Sequence, residues 1–277
     1  MHKFLKSTLL GAWAAASLFC LGASLQPASA GTIILEGSDA IGFHSNSNAA
    51  AGAYRDQVWS AIGGADPRTI AVVGGSVTAG VIVSNTHAIT RLTSLTGATL
   101  SDYAAIYFLA AGGCCTEDTS LPAGHESDIT AYLAAGGTIM IENYTGAAAW
   151  DFAVGTGGAG NAHVAGIGGG YPSSLGCDDG ETVTATGIAN GFTQPTPMGC
   201  WTHQAYDTSF FGPLGFTFSF FDAPPLFAAG TGPWSSLLSS GRTITGGGGG
   251  TTVPEPGALA LLSIALIGLG IVRSRRG

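Results

Sequence analysis

From Thr32 to Tyr144 the chain alternates between two apolar patterns. Short unbroken runs read as buried strands: Thr32–Gly37, Thr69–Gly75, Tyr103–Gly113 and Thr138–Tyr144. Between them lie stretches with helical spacing. Ala49–Ile62 places Tyr54, Val58, Trp59 and Ile62 on one face, Asn85–Leu95 turns Ile89 and Leu92 inward, and Leu121–Ala135 stops at the cap signal Gly136-Gly137. Strand and helix in turn predict an α/β protein with a parallel sheet covered by helices and joined by right-handed crossovers. After Tyr144 the pattern loosens. Glycine is frequent, and the apolar pieces Glu181–Ile188, Gly215–Phe221 and Leu226–Ala229 are short. They predict hairpins or edge strands, with Leu226–Ala229 as the candidate final strand.

The two ends follow other rules. Met1–Ala30 has Lys3 and Lys6, an apolar run from Leu9 to Leu25, and Ala28-Ser29-Ala30. That is the layout of a signal peptide, with cleavage expected between Ala30 and Gly31 by signal peptidase. At the other end, Gly257–Val272 carries no charge. As a helix it would reach about 24 Å, against a bilayer core of about 30 Å. The segment predicts a short membrane span, workable if Arg273, Arg275 and Arg276 snorkel to cytoplasmic headgroups. Gly246–Thr252 reads as a flexible linker. The expected divisions are therefore 1–30, an exported domain at 31–245, a linker at 246–252 and a tail at 253–277.

Composition sharpens this picture once the ends are set aside. Residues 31–252 hold sixteen acidic residues and four arginines (Arg55, Arg68, Arg91, Arg242) with no lysine, a net charge of −12. Nucleic-acid binding needs a basic footprint, so that class is excluded. Four cysteines remain beyond the leader: Cys114, Cys115, Cys177 and Cys200. In an oxidising compartment an even set predicts at least one disulfide. Cys177 with Cys200 is preferred, closing a loop of about 24 residues worth about 3 kcal/mol. Cys114 and Cys115 are then left as a vicinal pair or as free thiols. No cofactor is expected. The cysteines lack CxxC spacing, so His163 and His203 do not complete a recognisable zinc motif. Asp178, Asp179 and Glu181 surround a glycine in a calcium-like way, but without EF-hand spacing they read as a solvated turn. Glu117 with Asp118, and Glu126 with Asp128, lie too close in sequence to set the separation of a glycosidase pair; Glu126 and Asp128 suit a helix start.

Two resemblances add to these readings. Pro254-Glu255-Pro256, the apolar run and Arg273-Ser274-Arg275-Arg276 resemble, in that order, a PEP-CTERM sorting signal. The resemblance implies recognition by exosortase, a membrane-embedded cysteine transpeptidase of exopolysaccharide-producing Gram-negative bacteria. The protein would be anchored in the inner membrane before processing, then pass to the envelope, surface or matrix. Within the domain, Leu100–Gly146 resembles the core of class I glutamine amidotransferase-like and ThuA-like domains, and Cys200–Tyr206 (CWTHQAY) resembles a ThuA Trp-x-His segment. That implies a flavodoxin-like fold. Amidotransferases place a nucleophilic cysteine at the turn after the strand matching Thr138–Glu142. Here the turn is Asn143-Tyr144-Thr145-Gly146, so no catalytic residue is carried over. The expectation is a non-catalytic structural or carbohydrate-binding role linked to exopolysaccharide. The alternative is a secreted hydrolase of carbohydrate or amide bonds.

Overall fold

The computed structural model describes residues 31–75, 79–166, 181–196, 201–223 and 233–240. The leader, the PEP-CTERM-like tail with its expected span, Cys177, Asp178, Asp179, Cys200 and Leu226–Ala229 all lie outside the described residues. Among the described residues no helix is long and apolar enough to cross a membrane.

The four expected parallel strands are present as β1 (Thr32–Glu36), β2 (Thr69–Val73), β4 (Tyr103–Phe108) and β5 (Thr138–Glu142). Their near-continuous apolar sequence follows from burial on both faces. Alternate residues point to opposite sides. Ile34, Ile70, Val72, Tyr107 and Met140 meet Tyr54, Val58, Trp59 and Ile62 of helix α1 (Ala49–Gly63). Ile33, Leu35, Val73, Phe108 and Ile141 meet Ile129 and Tyr132 of α2 (Glu126–Ala134) and Trp150. Local signals place the helix ends. The Asn48 side chain accepts from the N–H groups of Ala50 and Ala51 at the start of α1. Beyond α2 the chain turns at Gly136, whose φ of +88° suits glycine. Helix α2 starts later than expected because Leu121–His125 forms turns around Pro122; Glu126 and Asp128 do occupy its first turn.

Three expectations need correction. Asn85–Leu95 is not helical, since Ile89–Leu92 forms β3, parallel to β2. A three-residue apolar spacing fits a helical turn, but in this half-exposed strand it spans the pleat. The second correction is to the final strand: Trp234–Ser239 is a strand, β10, that the pattern did not suggest. The third concerns strand order. A flavodoxin-like sheet runs 2-1-3-4-5, whereas the parallel part here runs β3-β2-β4-β5-β1. The familiar order is recovered only if the first strand of the chain is counted as the fifth. It takes that place by pairing in register with β5, Thr32 opposite Thr138 through to Glu36 opposite Glu142.

The sheet then continues antiparallel, giving ten strands of mixed direction among the described residues. One edge of β10 is shared. Leu237–Ser239 lie along β1, and Trp234 and Ser235 along β8 (Gln204–Asp207). Its other edge carries β9 (Phe218–Ala223), which pairs with β7 (Thr182–Val183). Strand β6 (Val164–Gly166) closes the far side of β8. Short helices α3 (Asp151–Val154), α4 (Ala185–Ala189) and α5 (Thr208–Phe211) fill the connections.

Candidate functional site

In open α/β sheets, ligands sit outside the carboxyl ends of the parallel strands. Three segments converge there. The first leaves β1 through Gly37, Ser38 and Asp39 into the turn Ala40–His44. The second is the loop Leu109–Glu117 after β4, and the third is Trp201–Gln204, which enters β8. Gly37 joins the first to the third. Its carbonyl accepts the N–H groups of both His203 and Gln204, at 2.6 and 2.9 Å. A Cβ on residue 37 would lie 2.0 Å from the Gln204 carbonyl oxygen. Gly37→Ala is therefore expected to push Trp201–Gln204 off the end of β1, at a cost of about 1–3 kcal/mol. Thermal unfolding by circular dichroism would register the loss, and a wild-type midpoint would contradict the reading.

This junction aligns a set of polar groups. The Asp39 carboxylate is buried, with Oδ2 at 3.0 Å from Nε2 of His203 and Oδ1 at 3.4 Å from Nε2 of His44. Beside them lie Cys114 and Cys115, bonded to one another as a vicinal disulfide. The carbonyl of Cys115 takes a hydrogen bond from the Gln204 side-chain amide at 2.8 Å. One donor atom each from Asp39, His203, Cys114 and Cys115 falls within 4.8 Å of all the others.

The loop bearing the cysteines is pinned from below by Glu117. Its N–H donates to the Asn143 carbonyl, and its buried carboxylate accepts the Thr145 hydroxyl at 2.7 Å and the Ala147 N–H at 3.3 Å. Glu117 is thus a brace rather than half of an acid pair with Asp118. Among the described residues, the non-glycine positions with left-handed φ are Cys115 (73°) and Asn143 (52°). Both lie at these strand ends. Asparagine tolerates that conformation through its short polar side chain, yet the Asn143 amide is buried without a hydrogen-bond partner among the described residues.

Below the surface sit two acids. Glu36 and Glu142 are opposed on adjacent parallel strands, and both are fully buried. Glu36 accepts from the hydroxyls of Tyr54 (2.9 Å), Tyr107 and Ser38 (3.3 Å). Glu142 accepts the N–H groups of Gly42 (2.7 Å) and Ala110 (2.8 Å), so it ties the Asp39 turn to the cysteine loop. Burial pushes the Glu36 carboxyl from its ordinary 4.5 up to about 8, with the hydroxyl donors opposing and Asp39 adding a smaller push. Burial, and then the charge of Glu36, raise Glu142 well above the usual range. At neutral pH the pair therefore retains protons.

Of the residues singled out from the sequence, Cys114, Cys115 and His203 meet at this site. His163 does not; it pairs with Asp207 at 3.2 Å and stacks on Phe210. Glu181 is not part of a solvated turn. It is buried, and its carboxylate accepts the Thr202 hydroxyl at 2.6 Å. Sequence reasoning missed Asp39, His44, Glu36 and Glu142. The available signal was position for three of them, since Glu36 and Glu142 end parallel strands and Asp39 follows β1 by three residues, while His44 ends the turn beyond it.

The geometry defines an α/β domain with a polar site at the ends of its parallel strands. The sorting class comes from the tail: residues 252–276 match the PEP-CTERM protein-sorting motif. The chain carries that motif, which supports an exported, envelope-associated exosortase substrate. No curated protein and no solved structure matches the chain.

Proposed function

We propose that the protein is a surface component delivered in two steps and serving a binding or structural role in the exopolysaccharide matrix. Signal peptidase cleaves between Ala30 and Gly31. Residues 257–272 hold the chain in the inner membrane until exosortase acts at Pro254-Glu255-Pro256. The domain then presents its strand-end surface to a carbohydrate without cleaving it. The observation that carries the non-catalytic part is Asn143. It occupies the left-handed turn after β5 where an amidotransferase would hold its cysteine, and it is buried. A carboxamide there is no nucleophile.

The test is incubation of envelope-derived protein with exopolysaccharide from the same host. Co-sedimentation without release of reducing ends or ammonia is the expected result. Release of either would overturn the reading in favour of a hydrolase. The hydrolase has one observation of its own, the His203–Asp39 pair beside two sulfur atoms. It predicts that cleavage appears on reduction and is abolished by thiol alkylation.

A further inference from the structure

We propose that Asp39, Cys114, Cys115 and His203 form a redox-gated site for a zinc ion: closed when the two cysteines are joined, and a four-donor site when they are reduced. The inference is independent of what the surface binds.

The donor set has the chemistry. Two thiolates, an imidazole and a carboxylate suit borderline-soft Zn²⁺ in a tetrahedral closed site. Calcium and magnesium take oxygen ligands and are excluded by the sulfurs. The spacing fits as well. Ligand atoms about 2.0–2.1 Å from a tetrahedral centre stand about 3.3 Å apart, rising to nearly 4 Å for two sulfurs at about 2.3 Å. His203 Nε2 and Asp39 Oδ2 are already 3.0 Å apart, and all four donors lie within 4.8 Å of one another. The carboxylate supplies a further observation. Asp39 Oδ1 is buried and, among the described residues, accepts no hydrogen bond, with the His44 ring facing it at 3.4 Å. A cation would satisfy it. Cys115 is exposed, so the sulfurs can be reached from solvent.

The chemistry balances with a dithiol reductant. Its two thiols give two electrons and two protons to the Cys114–Cys115 bond, and it leaves as its own disulfide. The S–S bond breaks and two thiols form. Zn²⁺ then displaces both thiol protons to solvent, and two Zn–S bonds form alongside bonds to a ring nitrogen of His203 and an oxygen of Asp39. The net charge of the centre becomes −1, where the buried carboxylate alone already carried −1. Chelation therefore adds no net charge to a buried position.

The experiment uses protein recovered from the host envelope in detergent. Zn²⁺ is titrated against a chromophoric chelator, before and after reduction by a phosphine, which does not compete as a dithiol. One Zn²⁺ per chain is expected after reduction and none before. Co²⁺ in its place should give a thiolate-to-cobalt charge-transfer band and the intense visible bands of a tetrahedral centre. The double variant Cys114→Ser/Cys115→Ser should lose the site. His203→Gln should weaken it by roughly 10–100-fold or more, with circular dichroism of the disulfide form verifying the fold. If His203→Gln does not fold, Asp39→Asn serves as the same test. Cys177→Ser/Cys200→Ser should bind as wild type. Equal binding with and without reduction would overturn the proposal, as would binding that survives loss of Cys114 and Cys115 or that needs Cys177 and Cys200.

Discussion

The midpoint of thermal unfolding is expected to fall as the pH is raised from 5 to 9, and Glu36→Gln should remove much of that fall. In the folded protein the Glu36 carboxyl is displaced upward from 4.5 to about 8 by burial. Below 4.5 both the folded and unfolded chains hold the proton, and the contribution of this group to stability is fully present. Between 4.5 and about 8 the unfolded chain releases the proton while the folded chain keeps it. Each pH unit then costs about 1.4 kcal/mol per proton, until the folded group also ionises. Glu142 is shifted in the same direction by burial and by Glu36. The loss spans several pH units, so it amounts to several kcal/mol out of a net stability of about 5–15. Glutamine at 36 cannot ionise. The hydroxyls of Tyr54, Tyr107 and Ser38 can rotate to meet an amide, because each both donates and accepts. The variant should therefore melt above wild type at pH 9 and gain nothing at pH 5. Circular dichroism melts at pH 5, 7 and 9 provide the comparison. Parallel pH dependence in the two proteins would rule out Glu36 as the source.

A second large effect is expected at the tail. Glu255→Ala leaves Gly257–Val272 and the three arginines intact, so insertion into the membrane should be nearly unchanged. Recognition of the PEP-CTERM motif at 252–276 should fail. Full-length protein should accumulate in the inner membrane, and the processed form should disappear from the surface. On the proposed anchoring, deleting Arg273–Arg276 should act differently, because it would remove the charge that fixes orientation and let the short span slip. Immunoblots of fractionated membranes from a host with the sorting protease separate these outcomes. Wild-type size and location for Glu255→Ala would show that the triplet is not read.

The contrast between these regions explains what was legible in the sequence. Strands such as Ile33–Ile34–Leu35 and Ile139–Met140–Ile141 are apolar without a break, and only a strand buried on both faces needs that pattern. Strand β10 was hidden by its serines. Ser235, Ser236 and Ser239 are all buried, and Ser235 uses its hydroxyl on the Phe221 and Leu237 carbonyls. A pattern search counts them as polar, although they occupy interior positions. β3 was misread because Ile89 and Leu92 satisfy a helical spacing over too few residues to distinguish the two periods. At the site, Cys114-Cys115 drew attention as an unusual pair, and His203 by its Trp-x-His setting. Their partner Asp39 lies 164 positions from His203, a proximity created by strand order and invisible to local spacing.

Strand order also governs when the protein can fold. β1 is made first, yet Ile34 lies between Met140 of β5 and Ser239 of β10. Chains are synthesised from the N-terminus, so one of the most apolar strands must wait for nearly the whole domain before both of its edges are covered. Such long-range closure is slow, and an early-emerging strand with open edges is prone to adhere to other chains. For an exported protein the delay is useful. The edge of β1 that faces β10 stays open until Trp234–Ser239 has been made. Covering both edges of β1 is therefore a late event in assembly, and a late final step leaves more of the chain's synthesis free of a completed sheet.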